Sequence, residues 1–362
     1  MKQKKLFLHT PPGSKPLYME EALMRNVIEK KLCSYFDHWS YLPIETPIID
    51  YFDIYTPFLS EKQKKGSIRF VDRDGNLVLL RNDITLFAAK ALAARMAEDG
   101  KGAKYYYSGQ IMRCREKDAP EEYYQIGCEI VGNNFKHEEF EILCVLIESC
   151  KHIGVDNFKL HIGDISFFNQ LLDGFDDSHT RAQIFTAIRK CDIPSLKEIL
   201  EKTALNAEIK DDLLRSASFI GGAKKFMDLA LSDKANKALL PLKKLVGQLI
   251  EAGYDDFITV DLSELSELDY YNGVIFHVYA EGVEMPLVSG GRYDLLFKQL
   301  GVEKNAVGFS YWLYPLEKVL NSKLSLESEA EIIEVSDENF VADFKKAINQ
   351  VNNNIKVQIK GK

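Results

Sequence analysis

The chain has 362 residues, of which 46% are hydrophobic and 28% charged, and a formal charge of −8 at pH 7. This composition excludes wholesale disorder, and the acidic balance argues against a basic nucleic-acid platform, since neutralising phosphates takes clustered Lys and Arg. Single cores rarely grow past about 250–300 residues, so two or three units are expected.

The N-terminal run Met1 to Leu8 is basic but lacks the apolar stretch of a signal peptide, and no apolar span long enough to cross a membrane follows. Cys33, Cys114, Cys128, Cys144, Cys150 and Cys191 form no CxxC pair and read as small hydrophobes. A reducing, cytoplasmic setting with no membrane partner is the expectation. After the Pro11-Pro12-Gly13 turn, Met24, Ile28, Leu32 and Phe36 recur at four-residue spacing and predict a helix over 19–38. Pro43 and Pro47 bracket a short extended piece leading to Ile48-Ile49. Ile68–Asp72 and Leu77–Leu80 then flank Asp74-Gly75, the turn dipeptide of a hairpin. A helix is predicted over 83–98, strands over 104–114 and 122–132, a helix over 137–153 and a strand over 157–162. From 164 to 255 the chain is helical in pattern and Lys/Glu-rich, with Lys224-Lys225 and Lys243-Lys244 read as solvated helix faces. Strands resume over 257–262, 274–280 and 285–289. A Gly290-Gly291 turn is expected to lead into a helix over 292–300, and Ala306–Ser310 reads as a buried strand. A Ser- and Glu-rich stretch, 321–330, precedes a strand-helix-strand pattern from Glu331 to Ile359.

Five segments, the strand Ala306–Ser310 among them, carry candidate chemistry. Arg113-Cys114-Arg115-Glu116 ends one strand, and in Tyr123–Gly132 the period of two sends Gln125, Gly127 and Glu129 to one face. That face is either a solvated sheet surface or one wall of a polar site. In Arg81-Asn82-Asp83-Ile84-Thr85, Asp83 or Thr85 could cap the following helix. The tyrosines of Leu268–Gly273 could be core aromatics, and Ser289–Asp294 a plain turn. In this order and spacing the segments resemble the class II aminoacyl-tRNA synthetase core, specifically its histidyl member, over roughly residues 9–320.

The resemblance implies an α+β fold: an antiparallel sheet flanked by helices over 1–163 and 256–320, a helical insertion domain over 164–255, and a linker with a truncated β-α-β segment over 321–362. It makes Leu42–Pro47 part of a dimer-forming motif, with Arg81–Thr85 and Gln125–Glu129 lining a histidine pocket. Asp83 and Glu129 would then receive the ligand ammonium, Thr85 and Gln125 fix its orientation, and Arg113 face its carboxylate. Tyr271 and Tyr293, with Tyr270 beside them, would meet the imidazole. Two acids and one base complement a zwitterion through charge-assisted hydrogen bonds.

Departures from the family pattern bear on catalysis. Where the synthetases read Arg-Gly-Leu-Asp-Tyr-Tyr, this chain reads Ser266-Glu267-Leu268-Asp269-Tyr270-Tyr271. Its third motif runs Trp312-Leu313-Tyr314-Pro315-Leu316, with Pro315 at an arginine position and Trp312 at a glycine, and Glu121 stands at a basic position of the second motif. Losing several cations that hold a triphosphate should abolish adenylate formation. No catalytic residue, metal or cofactor is therefore expected. The pattern also resembles the family of regulatory subunits of ATP phosphoribosyltransferase, including the opening His9–Gly13. That resemblance implies a hetero-oligomer with the catalytic subunit of the short-form transferase, self-association as a dimer, and histidine as a feedback ligand in histidine biosynthesis. With little chain beyond the linker, tRNA recognition is expected to be absent. The rival readings are a stand-alone synthetase-like sensor and an active histidyl-tRNA synthetase.

Overall fold

A computed structural model gives the structure and describes residues 10, 13–114, 120–132, 136–265, 270–320, 330–336 and 338–361. Arg115, Glu116 and Ser266–Asp269 lie outside them, so the predicted replacement at Ser266 has no structural counterpart here. The first half of the chain runs Met19–His38 (α1), Leu42–Pro43 (β1), Ile49–Tyr51 (β2), Phe52–Tyr55 (α2), Glu61–Gly66 (α3), Arg69–Val71 (β3), Leu77–Leu80 (β4), Ile84–Asp99 (α4), Ala103–Cys114 (β5), Pro120–Val131 (β6), Glu138–Ile153 (α5) and Phe158–Asp164 (β7). Next come Ile165–Leu171 (α6), Ser178–Arg189 (α7), Ile193–Glu201 (α8), Ala207–Ala217 (α9), Ile220–Gly222 (β8), Ala223–Met227 (α10) and Asp233–Glu251 (α11). The rest comprises Ile258–Asp261 (β9), Val274–Ala280 (β10), Val288–Arg292 (β11), Asp294–Gln299 (α12), Ala306–Trp312 (β12), Leu313–Leu320 (α13), Glu331–Val335 (β13), Phe340–Asn352 (α14) and Val357–Gly361 (β14).

Nine strands make one sheet in the order β1-β5-β6-β12-β11-β10-β7-β9-β8. The six central strands, β5 to β7 in that order, pair antiparallel throughout, whereas β1 joins β5 and β9 joins β7 in parallel. Alternation along β6 explains the layers. Ile126, Cys128 and Ile130 enter the larger apolar core beneath α1 and α5, so Gln125, Gly127 and Glu129 face the opposite side. On α1 the buried residues are Met24, Ile28, Leu32 and Phe36, the stripe that four-residue spacing dictates. On the other face α4 and α12 close a second apolar core that includes Phe87, Tyr105, Tyr107, Tyr293 and Phe297.

The hairpin forms as its turn chemistry requires. Asp72 accepts hydrogen bonds from the backbone N–H groups of Asp74 and Asn76, and Gly75 takes φ +88°. Within 164–255, helix starts are set by short polar side chains: Asp164, Asp177, Asp192, Asn206 and Ser232 each accept a backbone N–H of the first turn. Its apolar side chains, among them Ile188, Leu213 and Leu249, join the sheet's Leu160 and Ile162 in one core, and β8 pairs with β9 at the sheet edge. Lys224 lies on a solvated helix face while pairing with Asp255 at 2.6 Å, and Lys243 donates to the Leu229 carbonyl at 2.8 Å.

One expectation fails. Gly290 and Gly291 are not a turn but the middle of β11, which starts at Val288 rather than 285, and α12 begins only at Asp294. The physical reason is crowding across strands. A Cβ on Gly290 would collide with the Phe276 ring, and one on Gly291 would stand 2.8 Å from the Tyr271 ring.

Candidate functional site

The polar face of the sheet carries a cavity of about 410 Å³. Its floor is set by register. Glu129 of β6 lies opposite Gly308 of β12, which lies opposite Gly291 of β11, while Gly127, Ser310, Ser289 and His277 form the next row across β6, β12, β11 and β10. Gly308 leaves the room that the Glu129 carboxylate occupies, because any Cβ there would overlap it.

Glu129 is 1% exposed and is held from three sides. Thr85 donates to Oε1 at 2.9 Å, Tyr107 lies 3.4 Å from the same oxygen, and Tyr293 donates to Oε2 at 2.7 Å. Burial raises its carboxyl to about 8, helped by the charge of Asp83 and opposed by the Tyr293 and Thr85 hydroxyls. Asp83 supplies the N-cap of α4, accepting from the Leu86 N–H at 3.1 Å, while its second oxygen faces Tyr270 and Arg113, each at 3.5 Å. Burial raises this carboxyl too, with Arg113 pulling the other way. The capping reading of Asp83 is thus true alongside its place in the cavity, whereas Thr85 bonds Glu129 and caps nothing.

Tyr270, Tyr271 and Tyr293 form an aromatic wall, with centroids 4.9 Å apart for the first two and edge-on contacts to the third at 6.1 and 6.4 Å. Gln125 is 3% exposed, and its Oε1 accepts no hydrogen bond among the described residues. The solvated-face reading of the Gln125–Glu129 row is therefore overturned. Arg113 donates from Nε to the Asn82 carbonyl at 2.8 Å and stacks on Trp312 at 5.2 Å. Trp312 donates in turn to Ser289 Oγ at 3.2 Å.

All eight residues expected to contact histidine, Asp83, Thr85, Arg113, Gln125, Glu129, Tyr270, Tyr271 and Tyr293, line this one cavity. Arg81 does not, contrary to the expectation for the whole Arg81–Thr85 run. Its guanidinium donates to the carbonyls of Gln110 and Thr46, and Asn82 bonds Ser67, so both tie neighbouring loops together. Of the positions expected to have lost a cation, Pro315 is buried in α13 and Glu121 accepts the Tyr123 hydroxyl; neither lines the cavity.

Sequence reading missed Tyr107, Arg189, Glu264, His277 and Ser289. Alternation from Glu129 through the β5–β6 pairing could have flagged Tyr107, but nothing local marks Arg189, which the α7 helix brings in from a distant part of the chain. In the cavity wall His277 lies 3.2 Å from Glu264, and beside it His161 lies 4.0 Å from Asp261. The ligand atoms of His161, Asp261 and Glu264 all lie within 4.8 Å of one another, and burial holds the His161 imidazole below its ordinary value. A separate groove of about 510 Å³ beside Gly13–Arg25 contains two ion pairs, Lys15 on Glu21 at 2.7 Å and Arg25 on Glu317 at 2.8 Å. Among the described residues no helix is long and apolar enough to cross a membrane.

The family model described as histidyl-tRNA synthetase matches residues 13–316. Among curated proteins, the ATP phosphoribosyltransferase regulatory subunit of Ruminiclostridium cellulolyticum is 29% identical over 310 residues, 84% of this chain and 74% of that protein. That of Halothermothrix orenii is 28% identical over 337 residues, 91% of this chain and 79% of its own. Among solved structures, an ATP phosphoribosyltransferase regulatory subunit/histidyl-tRNA synthetase from Bacillus halodurans matches with a TM-score of 0.84 at 24% identity, covering 98% of this chain and 92% of that one. A histidyl-tRNA synthetase from Nostoc sp. PCC 7120 matches with a TM-score of 0.77 at 18% identity, covering 97% and 85%. At these identities what the two structures share with this chain is the fold.

Proposed function

This chain belongs to the histidyl-tRNA synthetase family, and from that premise we propose that it serves as a non-catalytic regulatory subunit of ATP phosphoribosyltransferase and takes histidine into the cavity. The relatives that bear that subunit's name supply the role, and the cavity lining supplies the chemistry. Asp83 and Glu129 suit an ammonium group, Tyr271 and Tyr293 an imidazole, and the Gln125 carbonyl oxygen is an acceptor awaiting a donor. In the empty cavity burial keeps a proton on Glu129 at neutral pH. An arriving ammonium restores the ionised form, so binding releases a proton.

The observation that carries the non-catalytic reading is the charge of the lining. Among the described residues it holds three carboxyl groups, Asp83, Glu129 and Glu264, the second of them protonated, and two guanidinium groups, Arg113 and Arg189, so that it carries no excess of positive charge. Arg113 is committed to Asn82, Asp83 and Trp312. A triphosphate needs several preorganised cations at the point where charge develops, and here the two guanidinium groups face at least as many acids. The transfer of a phosphoribosyl group from its diphosphate donor to ATP then belongs to a partner catalytic subunit. Self-association fits the same reading, because Leu42, Ile48, Ile49, Tyr51 and Val71 leave an exposed apolar surface around β1 and the small sheet β2-β4-β3.

Reconstitution tests the role. The short-form transferase assayed alone and with this chain should gain activity on addition of the chain, and should then become sensitive to histidine. No gain would contradict the assignment.

A further inference from the structure

Among the described residues Arg189 is the one cation that reaches the cavity from the helices between β7 and β9. It sits on the last turn of α7, exposed, and makes no hydrogen bond or ion pair with the described residues. Its backbone is nevertheless well fixed. Ala187 and Ile188 are buried, the turn after them closes with Asp192 donating to the Ala187 carbonyl at 2.9 Å, and the Cys191 thiol lies 3.2 Å from the Ser263 hydroxyl. Ser263 is held by Asp261 at 2.6 Å and is followed by Glu264 and Leu265, both of which line the cavity. Glu264 lies 3.2 Å from the His277 ring nitrogen. A guanidinium on a fixed backbone at the rim of an acidic cavity, with no partner among the described residues, is suited to a ligand anion. Arg113, by contrast, has its donors directed at Asn82 and Asp83 and its face on Trp312.

We propose that Arg189 is the guanidinium that takes the carboxylate of the bound amino acid, so that an occupied cavity ties the inserted helices to the sheet. The assignment rests on the reading of the cavity as an amino-acid site. It supplies what regulation by that site requires: a ligand that bridges α7 and the sheet binds better when the two are docked than when they are displaced, and so shifts the balance between those arrangements.

Histamine carries the imidazole and ammonium of histidine without the carboxylate, and separates the contributions. In calorimetric titrations of the full chain, wild type should bind histidine more tightly than histamine. Arg189→Ala should weaken histidine by about ten- to a hundred-fold, the usual worth of a charge-assisted contact, and leave histamine unchanged. Arg189→Lys should recover part of the loss. Hydrogen exchange of backbone amides in 178–189 should slow with histidine but not with histamine. An Arg189→Ala chain that binds histidine like wild type, or loses both ligands equally, overturns the proposal, as does loss of the histidine preference in Arg113→Ala alone. A wild-type chain that binds neither ligand overturns the amino-acid reading together with it.

Discussion

Glu129 receives the hydroxyls of Thr85 and Tyr293 while Gly308 leaves space for its carboxylate, and little water reaches it. Burial raises this group from an ordinary 4.5 to about 8, so the folded chain holds a proton that the unfolded chain releases across that interval. Its contribution to stability is present in full below about pH 4.5 and is lost as pH rises through about 8, a change on the order of 5 kcal/mol. Urea midpoints of wild type and Glu129→Gln, compared between pH 5 and 9, should show the wild type losing stability with pH relative to the variant. Parallel profiles would mean that the carboxyl is not held neutral. Glu129 was legible in the sequence because a period of two leaves no choice of face once Ile126, Cys128 and Ile130 take the core. Arg189 was not, since its arrival depends on how α7 packs on the sheet, and no local spacing encodes that.

At the scale of elements, α4 shows how one residue can serve structure and site together. Asp83 caps the helix through one oxygen and faces Arg113 and Tyr270 with the other. Asp83→Asn retains an acceptor for the Leu86 N–H, whereas Asp83→Ala removes it. The alanine variant should lose about 0.5–2 kcal/mol in thermal denaturation and the asparagine variant much less, while both weaken binding of a ligand ammonium. Equal destabilisation by the two would mean that the cap contributes nothing. The ends of α1, α4 and α5 and the long β5–β6 pair were readable because apolar period and turn chemistry are local. Strand β11 was not. Two consecutive glycines look like a turn, but here they accommodate Phe276 and Tyr271 from other parts of the chain, a demand visible only once the strands are assembled.

Across the whole molecule, an antiparallel platform puts one amphipathic face to the core and one to a polar cavity, and the helices between β7 and β9 share the core while reaching the cavity rim. An amino acid bound at that junction would touch both parts, as the proposed regulatory role requires. The described lining of the cavity sets two guanidinium groups among acids and aromatic rings, which suits an amino-acid zwitterion better than a nucleotide's phosphates. Calorimetric titration of the purified chain with histidine and, separately, with ATP tests that most directly. Saturable binding of histidine and none of ATP is the predicted result, and tight ATP binding accompanied by histidine-dependent exchange of pyrophosphate into ATP would contradict it.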